Sequence, residues 1–149
     1  MAAGQSLCVG AEAIQQRPVK VQPGGVLAVS GAQITAPMTS DAGAALTICQ
    51  TTLTGPVTVR KTSGYVLIGA DADDNTACAG NTINGPLTVD FNTGGLEASA
   101  STGPVQEINN SGSGLLPEDA VPELEANHIT GRSDCGNNLP TLHQAANTR

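Results

Sequence analysis

Aromatic side chains are nearly absent: one Phe, one Tyr and no Trp in 149 residues. That argues against a ring-based platform for stacking bases or sugars. Cations are scarce too. Six Lys and Arg stand against thirteen Asp and Glu, for a formal net charge of -7. Nucleic acid is therefore not an expected partner, because a phosphate backbone calls for clustered cations. No apolar run approaches the ~18 residues of a membrane-crossing helix, so no membrane span is expected. No serine sits in a Gly-x-Ser-x-Gly setting. The opening Met1–Gln5 has neither the basic start nor the apolar core of an export signal. The expectation is a mature chain whose leader has been removed, with Met1 as an added start.

Glycine and proline are plentiful instead, at 18 and 9 residues. Composition alone would suit a disordered linker. The spacing of apolar residues argues otherwise. Leu53-Thr54-Gly55-Pro56-Val57-Thr58-Val59 matches Ile83-Asn84-Gly85-Pro86-Leu87-Thr88-Val89, and Ile34–Thr39 is a weaker copy. Five pairs are 19 residues apart: Val19/Met38, Leu27/Leu46, Val29/Ile48, Ile34/Leu53 and Met38/Val57. Leu53 to Ile83 spans 30, which reads as one repeat plus an insertion.

Within each unit the apolar residues alternate. Val57 and Val59 precede the turn Thr62-Ser63-Gly64, and Val66 and Ile68 follow it. Leu87, Val89, Leu96 and Ala98 repeat the pattern around Asn92–Gly95. Period-two alternation broken by Gly, Asn and Pro means short strands. Short strands at a fixed period imply stacked rungs, since one rung cannot bury its inner face alone. The expected fold is all-β: a single parallel β-solenoid of about five to six rungs, each of about 19 residues. A hairpin sandwich is the competing reading, through Asn84-Gly85, but Pro86 would interrupt the second strand. One domain is expected over 1–149, with an N-terminal cap at 1–18 and rungs over 19–140. Insertions fall near 70–80 and 111–126, and 141–149 is a tail.

Cys78-Ala79-Gly80-Asn81-Thr82-Ile83-Asn84-Gly85-Pro86-Leu87-Thr88-Val89, followed by Asn92-Thr93-Gly94-Gly95, resembles the repeat of small secreted β-solenoid proteins from Gram-positive bacteria. Asp134–Pro140 is similar to their last, cysteine-containing rung. The resemblance covers about residues 19–140. It implies export and stacked rungs, and it carries no catalytic residue.

Candidate sites are few. Cys8, Cys49, Cys78 and Cys135 contain no C-x-x-C pair, and an even number suits two disulfides in an oxidising compartment. Of three connectivities, Cys8–Cys49 with Cys78–Cys135 is the expected one. Asp71, Asp73 and Asn75 are the candidates for Ca²⁺, but Thr76 and Thr82 stand where an EF-hand loop needs Gly and Glu. No metal or other cofactor is therefore expected. Thr39, Thr58 and Thr88 share one repeat position, and Thr35, Thr54, Asn84 and Thr130 another. Such hydroxyl columns suit an ordered lattice, a polysaccharide or ice, although threonine also favours strands for its own sake. Asp90, Glu97 and Glu107 could line outer faces as the paired carboxylates of a polysaccharide-active enzyme. The 30-residue offset, however, sets Arg60 beside Asp90 as an ordinary ion pair. His128 reads as a corner residue and His143 as part of the tail. Leu115–Ala126 reads as a short capping helix, with Pro117 and acids in its first turn.

The expected role is therefore an extracellular structural or adhesive module, not an enzyme, able to associate end to end with copies of itself. The alternatives are a polysaccharide- or ice-binding module and a polysaccharide-active enzyme.

Overall fold

The computed structural model describes residues 3–70, 78–99, 103–112 and 120–149. Among these residues the strands fall into three sheets. Sheet A has seven strands, in the order β1 (Ser6–Val9), β4 (Val26–Ser30), β7 (Ala45–Cys49), β10 (Val66–Ile68), β13 (Leu96–Ser99), β15 (Glu123–Glu125) and β17 (His143–Ala145). Sheet B has four: β2 (Ile14–Gln15), β5 (Gln33–Ile34), β8 (Thr52–Leu53) and β11 (Thr82–Ile83). Sheet C has six: β3 (Val19–Val21), β6 (Met38–Asp41), β9 (Val57–Arg60), β12 (Leu87–Asp90), β14 (Val105–Ile108) and β16 (Ser133–Asp134). Every pairing between these strands is parallel. The chain passes through A, B and C in rotation as far as β12, and its described strands then alternate between A and C.

All five 19-residue pairs are register partners. Strand alternation sends every second side chain inward, so the register produces continuous apolar columns. In sheet A, Leu27, Leu46, Val66 and Leu96 form one, and Val29, Ile48, Ile68, Ala98 and Leu124 another. Sheet B adds Ile34, Leu53 and Ile83, and sheet C adds Val19, Met38, Val57, Leu87 and Val105. All of these are buried in one core cluster. No hairpin forms at Asn84-Gly85, because β11 and β12 lie in different sheets. Gly85 turns the chain between them where there is no room for a side chain: a Cβ would lie 2.5 Å from the Gly55 carbonyl oxygen.

The corners repeat as regularly as the strands. After sheet C, Ala42, Lys61, Phe91 and Asn109 all adopt positive φ, between 54° and 57°. The residue that follows is Gly43, Thr62, Asn92 or Asn110, and here the asparagines stack inward. Asn92 Oδ1 accepts from Thr62 N at 2.8 Å, and Asn110 Oδ1 accepts from Asn92 N at 2.9 Å. Asn138 Oδ1 accepts from Asn110 N at 2.8 Å. Each amide also donates to a strand carbonyl, Asn92 to Val59, Asn110 to Val89 and Asn138 to Glu107. The backbone polar groups of a buried corner are thereby satisfied without water.

Three expectations are corrected. The N-terminal segment is not a separate cap, since β1 and β2 join sheets A and B. The tail is not separate from the sheets, since His143–Ala145 is strand β17, paired with β15. Glu123–Glu125, expected within a capping helix, is strand β15, with Leu124 fully buried. Pairing with β13 outweighs the helix-start composition, as tertiary context commonly does. Residues 113–119 of that insertion lie outside the described residues.

Candidate functional site

The outer face of sheet C carries the threonine column. Thr39, Thr58 and Thr88 are register partners on β6, β9 and β12. Lys20 precedes them in the same column, and Gln106 and Asp134 follow. The three threonines are half-buried, because neighbouring outer side chains crowd a parallel sheet. Where the column passes from Thr88 to Asp134, a shallow groove of about 250 Å³ opens, lined by Pro86, Thr88, Pro104, Gln106, Arg132 and Asp134. Enclosed small-molecule pockets usually start near ~300 Å³. An open groove below that size suits one unit of an extended polymer better than a sequestered ligand. Arg132 Nη2 bonds Asp134 Oδ2 at 3.2 Å along its rim. Thr35, Thr54 and Asn84 end the sheet B strands on exposed positions, with Thr54 N bonded to Ile34 O and Asn84 N to Leu53 O. Thr130 is exposed and lies outside any strand.

The three carboxylates singled out from the sequence are not brought together. Asp90 sits beside Arg60 in register, with Arg60 Nη2 3.3 Å from its Oδ2, as the 30-residue offset requires. Glu97 lies on β13 and is buried. Glu107 is a correction, for it does not reach an outer face. It is paired with Val89 in the inner column Val21–Ser40–Val59–Val89 and is 0% exposed. Neither carboxylate oxygen has a hydrogen-bond partner among the described residues. Burial holds its carboxyl well above the usual carboxylate range. The signal was present in the sequence: Gly85-Pro86 maps onto Gly103-Pro104, so Val89 maps onto Glu107.

The cysteine pairing is also corrected. Cys49 is bonded to Cys78, while Cys8 and Cys135 are free thiols. Cys8 lies on β1, opposite Ala28, whereas Cys49 lies two strands away on β7, opposite Ser30. The 30-residue offset places position 79 opposite Cys49, one residue from Cys78. Cys135 lies against the core near Glu107. Burial pushes its thiol up, and the Ser133 hydroxyl at 3.5 Å opposes the shift. The expected Ca²⁺ ligands Asp71, Asp73 and Asn75 lie outside the described residues.

The histidines end up in strand-like pairings rather than in a corner and a tail. His128 bridges to Thr148, with Nδ1 3.0 Å from the hydroxyl. His143 begins β17 opposite Glu123, and its Nδ1 is 2.8 Å from Glu125 Oε1. Glu123, Glu125 and His143 each place one possible ligand atom within 4.8 Å of the others. Reading 115–126 as helix and 141–149 as tail concealed this group. The 20-residue step from Asn127 to Asn147, matched by Glu123 to His143, was the available signal.

No helix among the described residues is long and apolar enough to cross a membrane. No protein family, curated protein or solved structure matches the chain.

Proposed function

We propose that the three parallel sheets wind as one β-solenoid, akin to the small secreted repeat proteins its rungs resemble, and that this rod serves as an extracellular structural or adhesive module. The observation that carries the reading is the column arrangement. Apolar side chains stack inward in all three sheets, while threonine and charged residues repeat outward. Such an interior resists deformation along its length, and its outer face offers a periodic surface. The Cys49–Cys78 bond supports an oxidising compartment and hence export. End-to-end association belongs to the same proposal: among the described residues β1 and β17 each pair on one side only, and a strand edge can template further pairing. Small-angle scattering with electron microscopy tests it. An elongated particle, extending into rods at high concentration, is expected. A compact spherical particle would refute the solenoid.

A second reading is favoured by the threonine column and its adjoining groove: recognition of a polysaccharide chain laid along sheet C. A glycan array decides it, with the Thr58→Val, Thr88→Val double variant as control. Binding that survives the double variant would place recognition elsewhere. The enzyme alternative loses support from the separation of Asp90, held by Arg60, from the interior Glu107.

A further inference from the structure

We propose that Glu123, Glu125 and His143 form a binding site for a divalent transition-metal ion of the zinc class on the outer face of sheet A. Residues i and i+2 of a strand project from the same face. Glu123 and Glu125 therefore stand together on β15, on the side away from the buried Leu124. The parallel register then sets His143 of β17 beside Glu123. Three side chains from two neighbouring strands thus converge, each offering a donor atom within 4.8 Å of the other two.

The spacing suits an ion of this size. Donors around tetrahedral zinc lie about 3.3 Å apart, given metal–ligand bonds of roughly 2.0–2.1 Å. Here one pair is 2.8 Å apart and every pair is within 4.8 Å. The widest pair would have to close by at most about 1.5 Å to reach that spacing. The chemistry suits it as well. Calcium and magnesium prefer all-oxygen sets, whereas an imidazole nitrogen with two carboxylates suits zinc and its neighbours. Three protein ligands leave a fourth position for water. Access is asymmetric: the His143 side chain is 57% exposed and that of Glu125 only 9%. The imidazole can swing to meet an arriving ion while Glu125 is held by its surroundings. Glu97 adds a third carboxylate to this column, opposite Glu123 on β13.

The ion would tie β17 to β15 through side chains, in addition to their backbone ladder. Metal binding of this kind contributes directly to folding stability. Its effect falls on β17, an edge strand of sheet A that among the described residues pairs only with β15.

The test is zinc titration of the whole protein by calorimetry near pH 7.5, with Cys8 and Cys135 alkylated so that no thiol competes. One zinc per chain is expected, together with a rise in melting temperature that calcium and magnesium do not reproduce. His143→Gln and Glu125→Gln should each weaken binding at least about tenfold. His128→Gln, at the other histidine, should leave it unchanged. Amide spectra of the variants establish that they remain folded, and the His143 imidazole resonances should shift on zinc addition. Absence of zinc binding, equal binding by folded His143→Gln, or calcium binding as tight as zinc would each overturn the proposal.

Discussion

Replacing Glu107 by Leu should stabilise the protein, and the gain should grow as pH rises. The side chain occupies an inner column position where the preceding strands carry Val59 and Val89, and both carboxylate oxygens lack partners among the described residues. A buried polar group without a partner costs about 1–3 kcal/mol. Leucine has nearly the same volume and no polar atom, and an imperfect fit would subtract less than about 1.5 kcal/mol. The expected net gain at acid pH is therefore about 1–2 kcal/mol. For a chain of this length that is a rise of roughly 2–8 °C in melting temperature.

The pH dependence follows from the direction of the shift. Burial raises the carboxyl of Glu107 in the folded state. Between the ordinary glutamate value of about 4.3 and that raised value, the folded protein keeps a proton the unfolded chain has released. Stability of the parent therefore declines across this window, by up to about 1.4 kcal/mol per pH unit for the single proton. The leucine variant lacks the effect. Cys135 faces the same region, but burial raises its thiol as well, so it stays protonated there. Every other ionisable group is common to the two proteins and cancels in the difference. Urea denaturation midpoints from pH 4 to pH 8 give the measurement. The gap between variant and parent should be smallest at pH 4 and widen steadily. Parallel profiles, or a variant less stable than the parent at pH 8, would refute the reasoning.

Two further outcomes can be checked with routine variants. Gly85→Ala should cost several kcal/mol, on the order of 3, because its Cβ meets the Gly55 carbonyl and the turn has no slack; thermal melting reads this directly. Reducing Cys49–Cys78, whose partners are 29 residues apart, should cost about 3–4 kcal/mol of unfolding free energy by loop-closure entropy. Peptide mapping should find that bond, with Cys8 and Cys135 alkylated without reduction.

The parts of the fold legible in the sequence are those where alternation and a fixed period agree. The 19-residue pairs from Val19 to Val57 became register partners because a one-residue slip would turn every inner side chain outward. The corner asparagines were legible as a class, since Asn92 stands just before a Thr-Gly turn. Their partners were not, because a buried amide ladder needs the three-dimensional stack before it makes sense. The edges failed for a different reason. Ser6–Val9 and His143–Ala145 are mostly exposed and lack the apolar alternation of interior strands. A terminal strand can rely on its neighbour's ladder instead of burying its own face. The Glu123–Glu125–His143 group vanished from view with those edges. Glu107 was hidden by the habit of placing carboxylates outside, although its own offset from Val89 placed it within.

The asparagine ladder permits a constructive test. It runs from Asn138 through Asn110 to Asn92 and stops at Thr62, whose backbone amide donates to Asn92. Thr62 is 0% exposed, and its hydroxyl has no partner among the described residues. It occupies the ladder position without performing the ladder's bonding. Asparagine there would point its Nδ2 toward the carbonyl of Ser40, the register partner of Val59, as Asn92 does toward Val59 itself. Thr62→Asn should therefore exchange one unpartnered group for about two hydrogen bonds, a gain of about 1–2 kcal/mol. Thr62→Val separates the two contributions. It removes the stranded hydroxyl without adding bonds, so it should gain less than Asn. Asn110→Ala supplies the opposite sign: it leaves Asn92 N without its buried acceptor and removes one bond to Val89 O, at a cost of about 1–3 kcal/mol. Urea denaturation of the three variants ranks them. The order Asn at 62, Val at 62, parent, Ala at 110 is expected from most to least stable. A Thr62→Asn protein weaker than Thr62→Val would mean that the corner lacks room for another amide, and that the ladder ends at Thr62 for steric reasons.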